Sequence, residues 1–383
     1  MQHELLILGG GCAGLSLARR LAAIGQRSPE TLLLEKRASY TNDRTWCFWS
    51  EPTAELNHLV DHRWANISVS TDIDKEVVDC RPFTYAMIPT LAFYDESVEK
   101  VAQSTKIKLD LGVSVHSSPQ KIGNLWFVET STGTHSARMV VDTRPTEVPN
   151  HKESLLWQSF LGHEIECSVP VFDPSTAELM HFATVREGRI LFFYLLPTST
   201  NRALLEVTVF AEEALAPESL KKELWDFIDR RVQGLSYTVQ RTENGILPMN
   251  AGFISPQIDP TYVKAGLFSG GARPSSGYAF QRIQRWAETC AQALGAGKPP
   301  TMHPMDPMAL RMMDGLFLRV LNRYPEMAPN IFLALFQKVN IARIVRFMSD
   351  QATLSDCAVI ASALPPMPFI TEIFSARRRA KYP

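Results

Sequence analysis

The period of hydrophobic and polar positions changes repeatedly along this chain, and the changes mark out its elements. "ELLIL" near the start is an unbroken apolar run, the mark of a buried strand; a glycine cluster and then "LSLARRLAAIG", apolar at helical spacing, follow it. A second apolar run, "TLLLE", ends at Glu35. The spacing predicts a helix over 90–104 ("TLAFYDESVEKVAQS") and short strands in "IKLDLG", "LWFVET" and "RMVVD". Further on, "RILFFYLLP" and "ALLEVTVF" are predicted to pair across "TSTN". "YVKAGLFSGGARPSSGYAF" predicts a strand, a glycine turn and a helix starting near Pro274, where Pro with Ser275 and Ser276 is good helix-start chemistry. Beyond "GAGKPP", which has the composition of a linker, the chain is predicted helical: "GLFLRVL" and "IFLALFQKVNIARIVRFM" are apolar at helical spacing with cations interleaved.

One position breaks the pattern. In "ALLEVTVF", Leu204, Glu206, Thr208 and Phe210 share one face of a strand and Leu205, Val207 and Val209 the other. Both faces are mostly apolar, so Glu206 points into a surface that is expected to be buried. An unpaired carboxylate there tends to take up a proton. Three situations are open: an edge strand with Glu206 in water, a paired structural carboxylate, or a buried neutral acid.

Composition narrows the classes. A chain of 383 residues exceeds what one compact core usually holds, which implies two or three subdomains. Lys plus Arg number 39 against 40 Asp plus Glu, a balance that argues against nucleic-acid binding. The six cysteines are scattered without a CxxC pair or ligand spacing, so they are expected to be reduced thiols, with no metal site. No signal-peptide pattern opens the chain, and no apolar run approaches the ~18 residues a spanning helix needs. Charge is nevertheless uneven. From Thr301 to Ser349 there are six basic residues against three acidic ones, and the chain ends in "RRRAKYP". Such helices either rest in the headgroup layer of an anionic leaflet, on the cytoplasmic side, or pack as a pair with solvated arginines.

The glycines at Gly9, Gly11 and Gly14 form GxGxxG between strand and helix. The first permits the tight turn, the second lets a pyrophosphate approach the backbone, and the third allows close helix–strand packing. Glu35 falls where a carboxylate accepts ribose hydroxyls, and its charge disfavours a 2′-phosphate. Position at the N-terminus favours FAD over NAD. Gly270, Gly271 and Gly277 allow close backbone approach to a ring, and a helix start aimed there would favour an anionic, reduced flavin. The alternative is an ordinary strand–turn–helix.

At these two sites together the chain resembles the bacterial lycopene cyclase family of FAD-dependent enzymes. "DRTWCFW" (43–49), "WQSFLGHEIE" (157–166), the hairpin around Glu206, "ENGILPM" (243–249), "GARPSSGYAF" and the late "LPPMPFI" are similar to its motifs in order. It departs at Val207, where the family's hairpin often has a second acid, and at Pro145, where it usually has Gly. The resemblance implies an α/β fold: a Rossmann-like FAD-binding domain from 1–150 and 240–297, an antiparallel substrate sheet from 151–239, and a C-terminal helical region, 298–383. It implies carotenoid cyclisation without net oxidation, begun by a proton added to a terminal alkene of a lycopene-type polyene. Glu206 occupies the family's acid position. Trp46, Phe48 and Trp49, with Phe193 or Tyr194 facing the region of Glu206, are candidates to stabilise the ring cations, core packing being their other role. Tyr278, Pro274 and the flanking glycines fall in the flavin turn, and Arg44 either contacts the cofactor or caps its own segment. Glu243 is a candidate second acid–base, although "ENG" reads first as a turn. Reduced FAD would lend negative charge without hydride transfer, with NAD(P)H or a reductase as external reductant. The rivals are a redox flavoenzyme (monooxygenase or isoprenoid reductase) and a carotenoid carrier that retains FAD.

Overall fold

The apolar runs at the start are strands because every side chain in them is enclosed: Leu5 to Leu8 and Leu32 to Leu34 are essentially inaccessible, as expected where both faces of a parallel sheet are covered. The computed structural model describes residues 2–50, 56–145, 155–182, 188–249 and 259–381. In chain order, β1 (Gln2–Leu8) and α1 (Cys12–Ala23) lead to β2 (Thr31–Glu35), β3 (Thr45–Ser50), β4 (His62–Trp64), β5 (Asn66–Ser70), β6 (Lys75–Asp79), β7 (Thr84–Pro89) and α2 (Thr90–Ala102). Next come β8 (Ile107–Leu111), β9 (Gln120–Ile122), β10 (Leu125–Thr130), β11 (Gly133–Asp142), β12 (Leu156–Cys167), β13 (Thr176–Phe182), β14 (Ile190–Pro197) and β15 (Arg202–Ala211). The remainder is α3 (Lys221–Val232), β16 (Tyr237–Met249), β17 (Tyr262–Lys264), α4 (Phe280–Gly295), α5 (Met308–Arg323), α6 (Ala328–Lys338), α7 (Ile341–Met348), α8 (Leu354–Ala363) and α9 (Pro366–Lys381).

Three sheets organise these elements among the described residues. The first runs β8-β2-β1-β11-β10-β9 with β17 beside β11; β1 is parallel to β2 and β11, as the Rossmann-like arrangement requires. Helices α1, α2 and α4 cover one face through Leu15, Leu17, Phe93, Trp286 and Leu294. Each such side chain contributes about 1.5–3 kcal/mol relative to exposure. The second sheet runs β16-β12-β15-β14-β13-β5-β6 and the third β3-β7-β4.

Two boundaries differ from expectation. The second sheet recruits β5 and β6 from within 1–150, and β16 extends it to Met249, past the expected limit at 239. A strand belongs to the sheet that satisfies its backbone groups, whatever its place in the chain. The expected boundary at 150/151 lies outside the described residues.

Around β15 the second sheet is buried on both sides. Leu205, Val207, Val209 and Phe193 meet α3 on one face; Leu204, Phe210, Phe192 and Leu196 share the other with the C-terminal helices. "ALLEVTVF" is therefore β15, hydrogen-bonded to β12 and β14, and an edge position for Glu206 is excluded. The helical end is tied in by Arg273, whose buried guanidinium donates to Asp314 at 3.2 Å and lies 4.0 Å above the Phe347 ring. No single described helix is long and apolar enough to cross a membrane; α8 with Pro366–Ser375 passes that test only jointly, across a 106° bend.

Candidate active site

The phosphate-binding turn is built by close contact. Gly9 has φ +93°, and a Cβ on Gly14 would lie 1.9 Å from the Gly9 carbonyl oxygen, so only glycine permits this approach. Gly11 caps α1 without a side-chain hydrogen bond, and a Cβ there would meet nothing within 4 Å, which leaves free helix amides facing open space. Glu35 ends β2 beneath this turn. Its Oε2 accepts the Gly10 N–H at 2.5 Å and its Oε1 the Arg37 Nε at 2.9 Å. Burial works to raise its pKa, but the Arg37 and Gly10 bonds outweigh it and hold the carboxyl below its ordinary range. Lone pairs remain on Oε2 for hydroxyl donors.

The second glycine segment also takes a tight form. Gly270 has φ +88°, Gly277 has φ +70°, and a Cβ on Gly271 would fall 2.5 Å from the Gly266 carbonyl oxygen. The helix expected from Pro274 starts at Phe280 instead, because Arg273 and Tyr278 close a loop by a backbone hydrogen bond of 2.9 Å before it. Pro274 thus lies in that loop, and the helix start points from Ala279. Beside the loop, Gln158 Oε1 is buried without a hydrogen-bond partner, 2.9 Å from where a Gly277 Cβ would stand, and buried Trp49 Nε1 also lacks one. Orphaned polar atoms beside a glycine cradle fit a planar, hydrogen-bonding group such as a flavin ring.

The face of the second sheet toward this loop carries the acid. Register places Tyr194 opposite Glu206, Glu206 opposite Gly162, and Gly162 opposite Glu243, one row across β14, β15, β12 and β16. Glu206 is 9% exposed and accepts the Thr208 hydroxyl at 2.9 Å. Burial, followed by the neighbouring Glu243 charge, pushes its pKa well above the ordinary carboxylate value. Glu243 is also buried and raised by burial, but Arg241 and Thr45 work against that rise. Its Oε2 accepts the Thr45 hydroxyl at 2.9 Å and an Arg241 N–H. "ENG" is no turn: it is the middle of β16, since β12 pairs with it throughout. Glu243 was undervalued by the sequence pattern, where Asn-Gly dominates; its burial opposite a glycine has no sequence signal.

Of the aromatic candidates, Tyr194 faces Glu206 and Phe193 does not. Phe193 opposes Val207 and stacks on Phe227 of α3 at 4.2 Å. Alternation in β3 divides the others. Trp46 and Phe48 pack on Phe280, each at 5.1 Å, in the dinucleotide-domain core. Cys47 and Trp49 turn the other way; Trp49 lies 5.1 Å from Tyr85, and the Cys47 thiol, pushed up chiefly by burial, feels both Glu206 and Glu243. Two residues the sequence did not flag, Tyr85 and Cys47, complete the site: the Tyr278 hydroxyl donates to Tyr85 at 3.2 Å. A cleft lined by Cys47, Phe48, Trp49, Tyr278 and Phe280 opens beside them. Arg44 is half exposed, 4.0 Å from Asp43, and its backbone N–H donates to Thr90. Its charge bears on Glu243.

Residues 4–373 match the family model described as "Lycopene cyclase protein". No curated protein matches the chain in sequence. Among solved structures, a geranylgeranyl bacteriochlorophyll reductase-like protein from Thermoplasma acidophilum is similar with TM-score 0.63 at 11% identity, over 98% of this chain and 99% of that one. A flavoprotein/dehydrogenase from Cytophaga hutchinsonii gives 0.56 at 13%, over 94% and 99%. The p-nitrophenol 4-monooxygenase PnpA from Pseudomonas putida DLL-E4 gives 0.59 at 14%, over 94% and 96%. Identities this low establish the shared fold and nothing about substrate.

Proposed function

The chain belongs to the lycopene cyclase protein family, and from that premise we propose that it closes the linear ends of a lycopene-type polyene into β-ionone-type rings by acid catalysis. Glu206 donates its proton to the terminal carbon–carbon double bond. The tertiary cation that results is attacked by a neighbouring double bond, which closes the ring. A ring proton then leaves and restores the acid, so the product is an isomer of the substrate and no electrons are gained or lost. Alkene protonation demands an acid kept neutral in a dry pocket. The single observation that carries this reading is Glu206 itself, buried on an aromatic-rich face with its carboxyl driven toward the protonated form. Tyr85, Tyr194, Tyr278 and Trp49 surround the reacting end with ring faces suited to cations.

Gly9, Gly11, Gly14 and Glu35 would hold the pyrophosphate and ribose of FAD, and Gly270, Gly271, Gly277 and Tyr278 would flank its ring. Bound and reduced, with NAD(P)H as external electron source, FAD would supply negative charge that stabilises the forming cation. The substrate is a hydrocarbon that resides in a bilayer, so the protein works at a membrane surface.

Anaerobic incubation of lycopene with protein whose flavin is chemically reduced tests the proposal. Cyclic product at constant flavin redox state is expected, and Glu206→Gln lowers the rate at least ~100-fold while substrate binding persists. A strict oxygen requirement, or net flavin oxidation matched to product, overturns cyclisation in favour of redox chemistry.

A further inference from the structure

The two buried glutamates sit on strands that do not touch. Adjacent strands lie about 4.8 Å apart, so residues two strands apart begin about 10 Å from each other, and a side chain on the strand between normally separates them. Here that residue is Gly162. A Cβ on it would stand 3.3 Å from the Glu206 Cβ, 3.4 Å from the Glu243 Cγ and 3.2 Å from Leu204 Cδ1. The absent side chain leaves a gap between the two glutamates, and across it the Glu206 carboxyl feels the Glu243 charge.

The partners divide the roles. Arg241 and the Thr45 hydroxyl both donate to Glu243, whereas Glu206 receives only the Thr208 hydroxyl. Charge is therefore favoured on Glu243 and the proton on Glu206. The other ionisable groups packed here are Cys47 from β3, Tyr85 from β7, Tyr194 from β14 and Tyr278 ahead of α4, all kept neutral by burial. The remaining charges are Arg44 and Glu164; the latter pairs with Arg241 at 2.8 Å and with Arg202 at 2.5 Å.

We infer that Glu243 is a positioning residue for the acid Glu206, acting through the gap at Gly162: its charge holds the proton on Glu206 and makes the carboxylate left after donation basic enough to take the ring proton back. The inference rests on the cyclase reading. One proton leaves Glu206 for the alkene, and one returns from the ring cation to the same oxygens. The family's hairpin often carries a second acid beside the first; in this chain that position is Val207, which points away into the α3 core.

Removing the negative charge makes ionised Glu206 less unfavourable, so its titration moves down. Activity that is lost as pH rises through that titration is then lost earlier. Glu243→Gln should lower the upper limb of the kcat–pH profile by one unit or more, which costs about tenfold or more in kcat at a pH on the new limb, with partial recovery in acid and KM within about twofold. Gly162→Ala, which alters no charge, should move the limb the same way. The Glu206 carboxyl C=O stretch, identified in infrared difference spectra by its loss in Glu206→Gln, should titrate in parallel. If that band and the profile stay in place in folded Gly162→Ala and Glu243→Gln, the inference is wrong; should Glu243→Gln not fold, Gly162→Ala decides. Full activity in Glu206→Gln would instead defeat the cyclase reading, while the band would still report whether the two carboxyls are coupled.

Discussion

Glu206 is held toward its protonated form in this fold, because three strands and the residues above them exclude water from its face. Desolvation acts on a carboxyl in proportion to what replaces water, and here the replacements are phenols, a thiol, one hydroxyl and a second carboxylate. At Gly14 the constraint is purely steric. Its hydrogen stands where a Cβ would approach the Gly9 carbonyl to 1.9 Å, so Gly14→Ala must push α1 away from the turn. Overpacking of this kind costs about 1–3 kcal/mol, roughly 5- to 150-fold in an equilibrium constant. Purified Gly14→Ala is expected to carry less than a tenth of the wild-type flavin, read from its visible absorbance. Wild-type flavin content in that variant would show that the turn does not hold the cofactor.

At the scale of the element, strand alternation sorts the aromatic residues into two jobs. The hairpin β14–β15 was predicted correctly across "TSTN", yet period alone did not say which face of it meets which neighbour. Register answers this: Tyr194 joins Glu206, while Phe193 supports α3 through Phe227. Phe193→Leu removes an aromatic stack and some volume, at about 1–2 kcal/mol. It should lower the melting temperature by a few degrees and leave the pH profile of activity unmoved. A shifted profile at unchanged stability would place Phe193 in the site after all. The same alternation in β3 sends Trp46 and Phe48 to the dinucleotide core and Cys47 and Trp49 to the acid's side.

For the whole molecule, the helical end bears on how the proposed polyene substrate would arrive. Its inner sides complete the core that contains the acid's face, through Leu318, Ile331, Phe336 and Ile344. Outward, Met308 and Met312 of α5 and Met367 and Phe374 of α9 are each more than half exposed, and α5 packs against α9. Arg319 and Arg323 reach Glu372 across that contact at 3.6 and 3.2 Å. Side chains of the basic tail lie outside the described residues. Apolar residues beside cations suit an anionic headgroup layer. The protein is expected to float with anionic liposomes at low salt, and Met308→Asp with Met312→Asp to reduce the bound fraction several-fold. No flotation at low salt would remove the membrane surface from the proposal.

What the sequence determined by itself is what depends on short range. The strand–glycine–helix turn, the acid at the end of β2 and the helices of the last segment follow from steric and periodic rules that act within a dozen residues, and the structure contains them. Tertiary structure alone decided the rest. It recruited β5, β6 and β16 to the second sheet, started α4 at Phe280, turned Phe193 away, and set Glu243 across a glycine from Glu206. Each of these depends on which strands become neighbours. That choice is made by backbone hydrogen bonds and burial between segments far apart in the chain, as the side-chain bond between Thr45 and Glu243, 198 residues apart, illustrates, and leaves no local mark on the pattern of residues.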